Sequence, residues 1–203
     1  MSTEVENGQD DAALLGAAAR DTSGFEHLVE RHSAALHGYF ARRAPHAADD
    51  LLAETWLRAY TGRHGYDAAR GSARAWLFGV ARNVLSAHWR GVAQESRGTP
   101  GEGAHGDPWE AVDDRLDASA LAPALRRVIT ELPSVERELL LLVAWEQLTP
   151  AEAAEVLGVP AGTARSRLHR ARARLRESGA LGPAAPAGRA PRPQPVRPTG
   201  EHA

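Results

Sequence analysis

The sequence predicts an all-α protein made of two small helical domains joined by a flexible linker. Three observations carry this expectation. Apolar residues recur at helical spacing through residues 21–92 and again through residues 121–177. No stretch alternates apolar and polar residues over the length of a strand, and no hairpin dipeptide joins β-branched runs. Residues 93–120, between the two periodic blocks, are crowded with Gly, Pro and acids, a linker composition.

In the first block, Phe25, Leu28, Val29, His32, Leu36 and Phe40 fall on one helical face. Pro45 ends that stretch. Asp49 and Asp50 stand where an N-cap belongs, ahead of Leu51, Leu52, Trp56, Leu57 and Tyr60. A polar loop follows from Thr61 to Gly71. Ser72 is placed to cap a further helix carrying Ala75, Trp76, Phe78, Gly79, Ala81, Arg82, Leu85 and Trp89.

The second block reads as three or four helices. Leu121 to Leu132 is one, stopped by Pro133. Ser134, with Glu136 and Glu138, suits the start of another that runs to about Trp145. Thr149 caps a short helix with Pro150 at its first position, and Gly158 ends it. Pro160 to Arg176 is the last and longest. The ends of the chain differ from both blocks. Residues 1–20 are an acidic, Ala-rich lead-in whose composition allows disorder, and residues 178–203 are a Pro/Ala/Arg-rich tail read as disordered.

Composition narrows the function. The 203 residues include no cysteine, which excludes disulfides and cysteine metal sites. No apolar run approaches the roughly 20 residues that span a bilayer. The polar, acidic start is unlike a secretory signal, so the expectation is a soluble cytoplasmic protein without membrane insertion. The net charge of -2 conceals local asymmetry. Residues 93–118 carry -5, whereas residues 163–176 hold six Arg and no acid.

Residues 149–177 read as a helix-turn-helix, with a Gly-containing turn and small Ala153 and Ala154 at the helix crossing. On a helical wheel Ala164, Leu168, Ala171 and Leu175 share the face to be buried. Gly162, Ser166, His169, Arg170 and Ala173 lie opposite, with Arg at both margins. Short polar centres flanked by Arg suit a helix in the major groove. In the first block, Asp50, Glu54 and Arg58 form a charged ridge at helical spacing. Residues 72–91 interleave Arg74, Arg82 and Arg90 with Trp76, Phe78 and Trp89, a pattern suited to single-stranded nucleic acid. Trp76 and Phe78 also satisfy the simpler reading of core aromatics, and spacing alone favours it.

Together these blocks resemble the sigma-70 family, specifically its extracytoplasmic-function (ECF) group. The run Asp50 to Arg58 resembles the family's core-polymerase-binding helix. Arg74 to Asn83, with Arg90, resembles its promoter-melting and minus-ten region. Leu132-Pro133, Glu136-Arg137 to Trp145, and Thr163 to Arg172 resemble its minus-thirty-five domain. Three positions depart from the usual pattern: Ala53 replaces a Gln, Ala87 an Asp, and Ala164 a branched residue. The resemblance implies a sigma region 2-like bundle over 21–92 and a region 4-like helix-turn-helix over 121–177. It implies a sigma factor, not an enzyme, with no cofactor and no metal. Its partners would be core RNA polymerase, promoter DNA as duplex and as melted non-template strand, and an anti-sigma factor. Polymerase binding falls to Asp50, Leu51, Glu54, Leu57 and Arg58. Minus-ten contacts fall to Arg63, Arg70, Ser72, Arg74, Trp76, Arg82, Asn83 and Arg90. Minus-thirty-five contacts fall to Thr163, Arg165, Ser166, Arg167, His169 and Arg170.

Two rivals are weaker. His27, His32 and His37, or His46 with Asp49 and Asp50, lack the spacing of a metal site such as HExxH. An ordinary dimeric helix-turn-helix regulator would bind duplex operator tightly without polymerase.

Overall fold

The structure, a computed structural model, describes residues 11–16, 23–97 and 122–179. Seven α-helices carry it after a short helical segment over residues 11–16. They are α1 (Ser23–Ala41), α2 (Ala48–Gly62), α3 (Ala73–Arg97), α4 (Ala122–Glu131), α5 (Ser134–Ala144), α6 (Pro150–Leu157) and α7 (Ala161–Glu177). Single 3-10 turns, Pro45–Ala47 and Arg63–Gly65, flank α2.

Helices α1, α2 and α3 pack around the aromatics that the periodicity singled out. Phe25 stands edge-on to Trp56 and Tyr60, at centroid distances of 5.7 and 5.2 Å. Tyr39 meets Phe78 edge-on at 5.8 Å, joining α1 to α3. Each such pair adds about 0.5–1.5 kcal/mol beyond its burial. Trp56 Nε1 donates to Ser33 Oγ at 3.1 Å, so its polar edge is also satisfied inside the bundle.

Local signals set three of the helix ends. Ser72 Oγ accepts from the Ala75 N–H at 3.1 Å, capping α3 as expected. Thr149 and Glu152 form a full capping box at the start of α6. Gly158 ends α6 in the left-handed region, at φ 65°, which a residue without Cβ adopts cheaply. Asp49 and Asp50 differ from the expectation. The N-cap is Ala47, without a side-chain bond, and the two acids lie in the first turn, where they meet the positive end of the helix dipole. Ser134 likewise lies inside α5, after an N-cap at Pro133.

The boundaries of the blocks also move. α3 continues to Arg97, so the first residues assigned to the linker are helical. Part of the acidic lead-in is built into the fold: Asp11 is 3% exposed and Leu15 is 1% exposed. Residues 1–10, 17–22, 98–121 and 180–203, on which the remaining lead-in, linker and tail expectations fall, lie outside the described residues.

Both helical blocks are present, and they touch. Ile129, Leu132, Leu140, Leu168, Ala171 and Leu175 form a small core within the second block. Leu139 and Leu142 of α5, Leu148 of the connection after it, and Ala153, Ala154 and Val156 of α6 join the same continuous core as Leu77, Phe78 and Ala81 of α3. Helix α6 lies directly on α3.

Candidate nucleic-acid interface

Helix α7 buries the stripe read from its sequence: Ala164, Leu168, Ala171 and Leu175. Its opposite face presents Arg165, Ser166, His169 and Arg170 to solvent, with Thr163 and Arg167 half-buried beside them. The turn ahead of it is pinned by Val159 N–H donating to Ala154 O at 3.0 Å. A carboxylate from α5 organises part of the arginine edge. Glu136, 6% exposed, lies 3.1 Å from Arg174 and 3.6 Å from Arg170.

Helix α2 exposes a second surface. Leu57 is 59% exposed, the one large hydrophobic side chain standing out among the described residues. Asp50 and Arg58 are exposed beside it, and Arg58 pairs with Glu54 at 2.6 Å. Leu51 belongs to the core instead, at 6% exposure, and supports this surface from beneath.

The predicted minus-ten residues are spread over the α2–α3 connection and more than one side of α3. Arg70, Asn83 and Arg90 are exposed. Trp76 is half-buried and leans on Tyr66 at 5.7 Å, so the core reading accounts for part of its surface. Phe78 is wholly core. Arg63 lies over the Tyr60 ring at 4.0 Å. Ser72, Arg74 and Arg82 are engaged by the second block. Ser72 Oγ donates to Glu152 at 2.7 Å, and Arg74 donates to the Glu146 carbonyl at 2.6 Å. Arg82 forms a fork on Glu138 at 2.7 and 3.1 Å, which pushes its pKa above the ordinary value. A cleft of about 490 Å³ opens between the blocks here, lined among others by Tyr66, Arg70, Trp76, Asn83 and Glu155.

The acidic partners were not read from the sequence. Glu146 is 3% exposed and accepts from both Arg42 and Arg43, the latter at 2.9 Å. Burial, then the neighbouring Glu152, pushes the Glu155 carboxyl up, while a bond from the Ser72 backbone opposes this. Arg42 and Arg43 sit about a hundred positions before Glu146, so no local pattern could have paired them. Among the described residues no three His, Cys, Asp or Glu side chains form a group suited to a metal ion. No helix among them is long and apolar enough to cross a membrane.

An arginine-edged helix-turn-helix beside a basic, aromatic helical block has the features of a helical nucleic-acid-binding protein, and Leu57 adds an exposed apolar point on α2. The comparisons are specific. Residues 28–94 match the model of sigma-70 region 2, and residues 123–175 match that of sigma-70 region 4. The ECF RNA polymerase sigma factor SigL of Mycobacterium tuberculosis is 33% identical over 174 residues, covering 81% of this chain and 94% of SigL. The probable RNA polymerase sigma-C factor of Mycobacterium bovis is 40% identical over 128 residues, 62% of this chain and 66% of that protein. Among solved structures, the sigma factor RpoE in complex with the anti-sigma factor NepR from Bartonella quintana has the same fold. Its TM-score is 0.55 at 23% identity, covering 78% of this chain and 98% of that one. The chain belongs to the sigma-70 family, in its ECF group. It is therefore a transcription initiation factor and not an enzyme.

Proposed function

We propose that the chain binds core RNA polymerase through α2, reads the minus-thirty-five element with α7, and holds the opened minus-ten strand along α3. Docking on polymerase falls to Asp50, Glu54, Leu57 and Arg58, with Leu51 as their support. Arg165, Ser166 and His169 meet base edges, while Thr163, Arg167 and Arg170 meet the backbone. Arg63, Arg70, Ser72, Arg74, Trp76, Arg82, Asn83 and Arg90 hold the melted non-template strand. The work is done in the cytoplasm, where polymerase and promoters are found. An anti-sigma factor is the expected restraint, as with RpoE of B. quintana.

The observation that carries this reading is the outer face of α7: polar at its centre, edged by Arg, and solvent-exposed over a buried apolar stripe. Bidentate base contacts from such a helix are worth about 1–3 kcal/mol each. Unstacking a base costs a few kcal/mol. A basic groove with an aromatic wall offsets that cost without nucleotide hydrolysis. Polymerase holds both blocks on one DNA, so the second contact becomes effectively intramolecular. Run-off transcription on genomic fragments with purified core polymerase tests this. Discrete transcripts are expected only when the chain is added, and identical products with and without it would overturn the proposal.

A further inference from the structure

We propose that Glu136, a buried carboxylate of α5 that reaches the edge of α7, is a positioning residue that sets the specificity of duplex reading. It tethers Arg170 and Arg174, so that their grip on the phosphate backbone is delivered in one register. The inference rests on the minus-thirty-five assignment above.

The tether has a rigid support. Glu136 lies in the first turn of α5, where the helix dipole favours a negative charge. The next residue, Arg137, donates to the carbonyls of Ile129, Thr130 and Leu132, which ties this turn to the end of α4. Leu140 of α5 shares a core with Leu168, Ala171 and Leu175, which fixes the spacing of α5 and α7. The Glu136 side chain is only 8% exposed, so packing sets its position. Its two oxygens are divided between two guanidiniums. Oε1 lies 3.6 Å from Arg170 Nη2, and Oε2 accepts from Arg174 Nη1 at 3.1 Å. Both arginines stay exposed, with their outer edges open to a ligand.

The place of these arginines on α7 gives the tether a function. Ser166, Arg170 and Arg174 follow at four-residue steps and form one row along the helix. The row begins among the residues assigned to base edges. An untethered arginine follows phosphates in any register, and such contacts supply essentially all of non-specific binding. A guanidinium held by a fixed carboxylate has less freedom to do so. It is already aimed when Arg165, Ser166 and His169 meet matched bases, and badly placed when they do not. The Glu136 charge also repels any phosphate that approaches from its side. Discrimination is a difference between two affinities, and this tether lowers the wrong one more than the right one.

The test uses the full chain bound to core polymerase. Two duplexes are compared: a promoter that this complex selects from a random library, and the same duplex with its minus-thirty-five element scrambled. Equilibrium competition at several salt concentrations gives the affinity ratio and the salt slope for each. In Glu136→Gln, which keeps the shape and removes the charge, the scrambled duplex binds more tightly. Its log–log salt slope steepens by about 1 to 2, as one or two phosphate contacts are gained. The ratio falls about two- to fivefold, the span of a surface ion pair. Glu136→Asp keeps the charge and holds the ratio nearer to wild type. In a chain already carrying Arg170→Ala and Arg174→Ala, Glu136→Gln moves neither quantity, which separates the tether from a merely structural role. Circular dichroism and urea unfolding establish that each variant keeps its fold. An unchanged ratio and slope in Glu136→Gln overturn the role of Glu136. The same shift in the chain without the two arginines overturns the tether. A wild-type complex that binds both duplexes equally overturns the minus-thirty-five assignment, and this inference with it.

Discussion

His32 illustrates what a single residue contributes and how its environment sets its chemistry. It sits on the buried face of α1, 7% exposed, with its Nε2 2.7 Å from the Asp11 carboxylate. Arg31 shares that carboxylate. Burial lowers the His32 pKa from its ordinary value, and Asp11 only partly opposes this, while Arg74 and Arg31 add to the lowering. Because the folded value lies below the unfolded one, this histidine costs nothing above about pH 6.5 and withdraws stability as the pH falls below it. Between about pH 8 and about pH 5.5, wild type should lose more melting temperature than His32→Gln. Equal losses would show that His32 is not the group responsible. The sequence placed His32 on the apolar face, because periodicity sees one helix at a time. Its partner twenty-one positions earlier, in a stretch read as a lead-in, left no periodic signal. Residues whose signal is local were legible: Thr149, Ser72 and Gly158 each act within one turn of their own position.

At the scale of the element, helix α7 was readable almost in full. A period of 3.6 residues fixes which side chains face inward, and Ala164, Leu168, Ala171 and Leu175 are the ones buried. The remaining positions then face outward by geometry. Glu136 could not be foreseen, since it reaches α7 from α5 and steadies Arg170 and Arg174. Arg165 makes no such pairing among the described residues and is exposed at the front of the helix. Replacing Arg165 with Ala should cost about 1–3 kcal/mol of discrimination between matched and mismatched minus-thirty-five elements. Stability should change by no more than about 0.5 kcal/mol, as for other exposed positions. Competition binding of the chain–polymerase complex to the two duplexes measures the first, and urea unfolding the second. Unaltered discrimination would remove Arg165 from the reading surface. Helix α2 was legible in part. Its ridge of Asp50, Glu54 and Arg58 is at the surface, while Leu51, which the resemblance groups with them for polymerase binding, is buried.

For the whole molecule, the sequence revealed two helical blocks and hid their encounter. The interface draws Arg42, Arg43, Arg74 and Arg82 from one block and Glu138, Glu146 and the α6 carboxylates from the other. Charges dispersed over so long a span average to a net -2 and look like ordinary surface. Nothing in the spacing of the apolar residues of α5 and α6 says that they have two sides to bury. Only the folded arrangement shows that Ser72, Arg74 and Arg82 are engaged by the second block, while Asn83 and Arg90 of the same helix remain exposed.

The decisive experiment follows unpaired bases. Thymines that have left the stack react with permanganate, so a promoter selected from a random library by the chain–polymerase complex can be footprinted base by base. A sigma factor whose α3 holds the opened strand gives reactive thymines confined to the minus-ten region, and Asn83→Ala with Arg90→Ala abolishes them while the minus-thirty-five contact persists. A stable complex on that promoter with every thymine protected would contradict the role assigned to the first block.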